Sequence, residues 1–212
     1  MYTSWVKRFI DFTFSLLSLV VLFPLFLIVW LLVRIKVGKP AFFVQERLGK
    51  SEKPFMIYKF RSMTEAKDES GHLLPEEQRL TRFGKKLRSL SLDELPELWN
   101  ILCGDMSIVG PRPLPSYYRP FYTEIERHRH DVRPGLTGLA QVKGRNYITW
   151  ENKFSLDNQY IQMCNILLDI KIVIQTIFIV LRCNNIETAS QFEHNGIIYM
   201  PLDVERRHMM RG

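Results

Sequence analysis

Residues 12–33 read FTFSLLSLVVLFPLFLIVWLLV, 22 residues without a charge, interrupted only by Thr13, Ser15, Ser18 and the central Pro24. As one helix the run is roughly 33 Å long, enough to cross a bilayer core of about 30 Å. It is longer than the apolar region of a signal peptide, and no Ala-x-Ala-like site follows it. Pro24 removes one intrahelical hydrogen bond and crowds the preceding turn, so a kink is expected there. Lys7 and Arg8 flank one end, and Arg34, Lys36 and Lys39 flank the other. Cations at both ends give no clean orientation. Two arrangements stay open: a kinked spanning helix, and a hairpin that enters, bends at Pro24 and leaves on the same face.

Outward from this segment, no other stretch is long and apolar enough to span. Residues 40–60 alternate short apolar runs with polar residues around Gly49 and Pro54, which reads as two strands joined by a basic turn. Residues 64–77 read as a polar surface loop, and residues 78–88 as a basic helix. Leu92, Leu95, Trp99 and Leu102 recur at helical spacing, which predicts a helix from near residue 93 that buries this stripe. Four prolines between Pro111 and Pro120 then impose turns. Residues 122–131 form a short charged helix in this reading, residues 133–138 a turn, residues 139–142 a strand, and residues 149–162 a helix. Residues 165–181 are a second apolar helix. Its Asp169, Lys171 and Gln175 argue for an interfacial position rather than a span. A short strand is expected at residues 196–200.

The 212 residues carry a formal charge of +7, with a pI of about 9.4. That suits nucleic acid, an anionic membrane or a phosphorylated substrate. Aromatics are not interleaved with the basic patches, which disfavours nucleic acid. The three cysteines are widely spaced with no CxxC pair, so neither a disulfide framework nor a zinc knuckle is supported. The pair His128 and His130 has no third ligand nearby.

The chemistry concentrates in two stretches. Residues 89–100 read SLSLDELPELWN, and residues 104–113 read GDMSIVGPRP. The adjacent carboxylates Asp93 and Glu94 can supply a nucleophile, a metal ligand and a proton acceptor. Structural roles compete with this: Ser91 and Glu94 match a capping box, or Asp93 is itself an N-cap. Either places the carboxylates at a helix N-terminus, which lowers the pKa of Asp93. In Pro111-Arg112-Pro113 the prolines stiffen the backbone, and the planar guanidinium suits two phosphate oxygens. Gly144-Arg145 and Arg133-Pro134-Gly135 invite the same phosphate reading, their glycines letting backbone amides approach, against a solvated surface turn. Lys59 and Arg88 belong to basic patches that lie on a solvated face or on anionic lipid.

Taken together, these motifs resemble the bacterial sugar transferases known as monotopic phosphoglycosyl transferases. The resemblance is carried by Lys7-Arg8 with Asp11, Pro24, residues 58–63 (YKFRSM), 90–95 (LSLDEL), 104–113, 133–138 (RPGLTG), 141–142, 144–146 and 168–171 (LDIK). It implies an α/β, mainly α, single globular domain with an N-terminal re-entrant membrane helix-break-helix and interfacial amphipathic helices. The parts are then residues 1–39 for the hairpin and flanks, 40–183 for catalysis and 184–212 for a C-terminal extension. It implies transfer of a phosphosugar from a UDP-sugar, with an N-acetylated sugar expected, to polyprenyl (undecaprenyl) phosphate, with release of UMP and a requirement for Mg2+. It implies Asp93 as nucleophile through an aspartyl-phosphosugar intermediate and as Mg2+ ligand, with Glu94 accepting a proton or orienting the acceptor. Pro111, Arg112 and Pro113 fall near the nucleotide, Lys59, Arg88 and Arg145 are phosphate partners, and Asp169 orients a basic group. The implied location is the bacterial inner membrane, entered monotopically, with the active site facing the cytoplasm. The membrane break is Phe23-Pro24 where the family has Ser-Pro. A peripheral membrane protein that binds nucleotide or anionic lipid without catalysis is the other reading, and it predicts tolerance of Asp93→Asn.

Overall fold

In the computed structural model the apolar segment folds as α1 (Lys7–Val21) and α2 (Phe23–Lys36), bent by 66° about Leu22. Pro24 stands in the first turn of α2, where its missing N–H leaves nothing unsatisfied and its ring blocks continuation of α1. The structure describes residues 2–144, 148–182, 192–194 and 197–207.

Both outer ends of this bent pair return to the same body. On α1 one face is buried, Lys7, Asp11 and Ser15 at four-residue spacing. Arg8 donates to the carbonyls of Ile101 and Leu102, and Asp11 accepts from the Ile108 amide. On α2, Val29 and Val33 pack with Ala41, Phe60 and Leu87. Around the bend, Leu17, Val20, Val21, Phe23 and Ile28 are exposed.

Strands β1 (Phe42–Leu48) and β2 (Pro54–Phe60) pair antiparallel, with Phe42 opposite Phe60 and Leu48 opposite Pro54. The basic helix expected at residues 78–88 is two pieces, α3 (Glu76–Arg79) and α4 (Arg82–Ser89). The hydroxyl of Thr81 accepts from Gly84 and so restarts the helix. α5 spans Glu97–Cys103. Its buried face is Glu97, Leu98, Asn100 and Ile101, not the predicted stripe, and Trp99 is 54% exposed. Pro96 delays the start of the helix and shifts its phase. Leu98 and Ile101 pack on Ile57 of β2 and on Met106.

Strand β3 (Ser107–Val109) pairs in parallel with β4 (Gly135–Thr137), inside the segment read as a turn. Here glycine serves backbone packing rather than phosphate approach. A Cβ on Gly135 would lie 2.1 Å from the Gly110 nitrogen. α6 (Glu124–Arg127) begins with a capping box between Thr123 and Glu126. Residues 139–142 are not a strand but part of α7 (Leu139–Gly144). Leu139 and Val142, one turn apart, pack with Val109, Tyr160 and Ile172, and a strand would point them to opposite faces. α8 (Trp150–Met163) and α9 (Ile166–Leu181) follow as expected, with Thr149 and Asn165 as N-caps. Along α9, Leu167, Ile170, Ile174, Ile177, Phe178 and Leu181 are exposed. The hairpin β5 (Phe192–His194) and β6 (Ile197–Tyr199), then α10 (Leu202–Glu205), close the described chain.

Candidate active site

Lys59, near the end of β2, is the centre of the site. Its ammonium lies 2.8 Å from Glu94 Oε1 and 2.9 Å from Glu97 Oε1. Arg112 Nη2 lies 2.9 Å from the same Glu94 oxygen. Three local devices bring these groups together.

The first is Asn100, almost fully buried, whose amide donates to the Met56 carbonyl while its oxygen accepts from the Tyr58 amide. This ties α5 across β2 and holds Glu97 over Lys59. The second is Ser91, left-handed at φ 54°, which turns the chain out of α4 into one 3-10 turn, Leu92–Glu94. The third is the anchoring of the Pro-Arg-Pro turn by all three of its carbonyls. Pro111 accepts from the Gly135 amide (2.9 Å), Arg112 from Arg129 Nη2 (2.7 Å) and Pro113 from Arg47 Nη1 (3.2 Å). Arg129 is itself held by Asp157 at 2.9 Å in a buried pair. The backbone of Arg112 is therefore fixed, while its half-exposed guanidinium stays available.

Neither capping arrangement forms at Asp93 and Glu94. The Ser91 side chain makes no cap bond, and the residue preceding α5 is Pro96. Asp93 is 8% exposed and makes no hydrogen bond or ion pair among the described residues. Burial, reinforced by Glu94, pushes its carboxyl above the ordinary aspartate value despite Lys59, Arg88 and Arg112 nearby. The lowering expected from a helix end is thus overridden by desolvation. Glu94 moves the other way. Burial opposes its charge, but Lys59 and Arg112 outweigh that and hold it at about 2. Burial and Glu94 push Glu97 up to about 7 against the pull of Lys59 and Arg112. Arg88 donates through Nε to Ser62 Oγ at 2.8 Å, which steadies it near Asp93. A cavity of about 20 Å³ opens beside the cluster, lined by Arg47, Ile57, Lys59, Glu97, Arg112 and Pro113.

The model of the bacterial sugar transferase family matches residues 2–183, from the start of the bent pair through α9. The chain belongs to that family. Among its relatives is EpsL of Bacillus subtilis strain 168, described as an uncharacterized sugar transferase. It is 46% identical over 90% of this chain and 97% of its own length. The UDP-glucose:undecaprenyl-phosphate glucose-1-phosphate transferase of Klebsiella pneumoniae is 40% identical over 81% of this chain. The UDP-N-acetylgalactosamine-undecaprenyl-phosphate N-acetylgalactosaminephosphotransferase of Aeromonas hydrophila is 36% identical over 82%. This chain spans 39% and 43% of those two longer proteins.

In this sugar transferase the sequence-predicted residues Lys59, Arg88, Asp93, Glu94, Pro111, Arg112 and Pro113 come together. Asp169 does not join them. It accepts from Lys7, from Tyr2 (2.6 Å) and from Tyr160 (2.8 Å), beside a second cavity lined by Lys7, Asp11, Ser107 and Tyr160. The basic group it pairs with is Lys7 of α1, away from the candidate site. Arg145 lies outside the described residues. His128 bonds Asp131, and His130 is buried against the Gly49 carbonyl, its pKa lowered to about 4 chiefly by burial. Among the described residues no group of three or more His, Cys, Asp and Glu could hold a metal alone.

Two residues at the site were not anticipated. Glu97 follows Glu94 by one helical turn, a spacing visible in the sequence that puts both acids on one side. Arg47 reaches the site only because β1 pairs with β2 in this register, for which the local sequence gives no sign.

Proposed function

We propose that this sugar transferase moves a phosphosugar from a UDP-sugar to undecaprenyl phosphate at the bacterial inner membrane, releasing UMP. The observation that carries the reading is the buried, unpartnered carboxylate of Asp93 beside the Lys59–Glu94–Arg112 cluster. A buried carboxylate that receives no hydrogen bond from the described residues keeps its lone pairs for a substrate, and one raised in pKa and desolvated is a better nucleophile.

In the first half-reaction a carboxylate oxygen of Asp93 attacks the sugar-linked phosphorus. The Asp93 O–P bond forms, the diphosphate bridge breaks, and UMP leaves. In the second, an oxygen of undecaprenyl phosphate attacks the same phosphorus and Asp93 is released as carboxylate. The kinetics are ping-pong. Lys59 and Arg112 face the anionic diphosphate, and Arg112 offers its planar fork from a fixed backbone. Glu94, held ionised at about 2, orients these two cations rather than carrying a proton.

The donor set also fits Mg2+. This ion typically binds through one or two carboxylates and the substrate's own phosphates, and Asp93 is the free carboxylate here. When bound, it would neutralise charge on the diphosphate.

We further propose that the bent pair α1–α2 enters the bilayer and returns. Both its outer ends contact one body, and the side chains around the bend are apolar and exposed. The exposed apolar stripe of α9 lies in the same interface, and the site faces the cytoplasm. A lipid phosphate can then be met at headgroup height. An N-acetylated UDP-sugar is the donor we expect; the Aeromonas relative is named for such a sugar and the Klebsiella relative for UDP-glucose.

The test is UMP release from a panel of UDP-sugars, with and without undecaprenyl phosphate and Mg2+, by the purified protein and by Asp93→Asn. Lipid- and Mg2+-dependent release confined to one sugar and lost in the variant is the expected result. Equal release by the variant, or none with any UDP-sugar, would overturn the reading.

A further inference from the structure

We propose that Glu97 takes up a proton when the phosphates of a uridine nucleotide dock, so that Lys59 turns from Glu97 to the incoming anion. This rests on the transferase reading only in that a nucleotide phosphate binds beside Lys59.

The geometry is one lysine between two carboxylates, Glu97 buried and Glu94 partly buried. Lys59 Nζ is 2.8 Å from Glu94 Oε1 and 2.9 Å from Glu97 Oε1. Glu94 has a second cation, Arg112. Glu97 makes no second ion pair among the described residues. It is 3% exposed, and its Oε1 makes no properly directed hydrogen bond despite the nearby ammonium. Of the two partners of Lys59, Glu97 is therefore the weakly held one. The charged groups that face it are Lys59 from β2, Glu94 from the 3-10 turn, Arg112 from the Pro-Arg-Pro turn and Arg47 from β1.

A docking phosphate adds negative charge beside a lysine that two carboxylates already share. Either a carboxylate is protonated or the lysine stays divided. Glu94 is clamped between two cations, Lys59 and Arg112, whereas Glu97 pairs with Lys59 alone and is pushed up by burial to about 7. Proton uptake at Glu97 also leaves a neutral side chain in the cavity wall beside Arg112. By linkage, nucleotide affinity then falls as pH rises above about 7, by at most tenfold per pH unit for one proton. Glu97 is thus a positioning residue that acts through Lys59.

The experiment is calorimetric titration of the full chain with UDP at pH 8.0, in two buffers of different ionisation enthalpy. At that pH the terminal phosphate of UDP is already ionised, so uptake reports the protein. The wild type should take up most of one proton per UDP. Glu97→Gln, which mimics the protonated side chain, should take up almost none and bind UDP several-fold tighter at pH 8.0, the gap closing at pH 6. No uptake by the wild type on binding UDP, or equal uptake by the variant, would overturn the proposal. Intact uptake without UMP release from any UDP-sugar would instead overturn the transferase reading alone.

Discussion

Asp93 and Asp169 are both buried aspartates in this chain, and their surroundings are opposite. Asp169 receives three donors, Tyr2, Lys7 and Tyr160, and ties α9 to the start of α1. Asp93 receives none among the described residues, although Lys59, Arg88 and Arg112 stand near it. A saturated carboxylate has its lone pairs committed to the fold and none left for substrate. An unsaturated one costs stability, and it is retained where it does chemistry. Sequence alone put both in one site; coordination separates them.

The contrast is broken or sharpened most by removing each carboxylate in turn. Asp93→Asn should lower UMP release at least a thousandfold, with the thermal midpoint unchanged or raised, because an unpaired buried charge is removed. Asp169→Ala should do the reverse. It strands Lys7, buried as its partner was, and should cost about 3–5 kcal/mol in thermal unfolding, while kcat of the remaining folded protein stays within about tenfold. A collapse of kcat without loss of stability in Asp169→Ala would end the distinction.

A smaller effect tests how the site is held. Asp157→Asn weakens the pair that directs Arg129 to the Arg112 carbonyl. KM for the UDP-sugar should rise several-fold with Lys59 and Glu94 intact, measured by initial rates alongside a modest fall in melting temperature. An unchanged KM would show that the prolines alone fix the turn.

The smallest effect concerns Glu97. Below the ordinary glutamate pKa, about 4.3, its proton is bound in folded and unfolded chains alike. As pH climbs to about 7 the unfolded chain releases that proton first, so stability falls, and above about 7 the penalty is complete. Glu97→Gln should therefore melt a few degrees higher than wild type at pH 8, the difference shrinking towards pH 5.

Much of this was legible in sequence because it is local. The uncharged run, Pro24, the two strands around Gly49 and the helices read at 149–162 and 165–181 depend on neighbours a few residues away. What failed to show depends on contacts between distant segments. The phase of α5 is set by Pro96 and by packing on β2, so the stripe through Trp99 was misjudged. Residues 139–142 read as a strand in sequence but are helical, because Leu139 and Val142 pack on one face against Tyr160. The pKa of Asp93 follows burial by the whole site, which no helix-end rule contains. Arg47 became a site residue only through strand pairing, and Glu97, though spaced one turn from Glu94, is set over Lys59 by the tie made by Asn100.

The most direct test is intact-protein mass spectrometry after incubation with the reactive UDP-sugar and Mg2+ in the absence of lipid acceptor. The account predicts a mass increase of one sugar phosphate, mapped to Asp93, absent from Asp93→Asn and discharged on adding undecaprenyl phosphate. UMP release that proceeds only with lipid present and never leaves an adduct on Asp93 would contradict it.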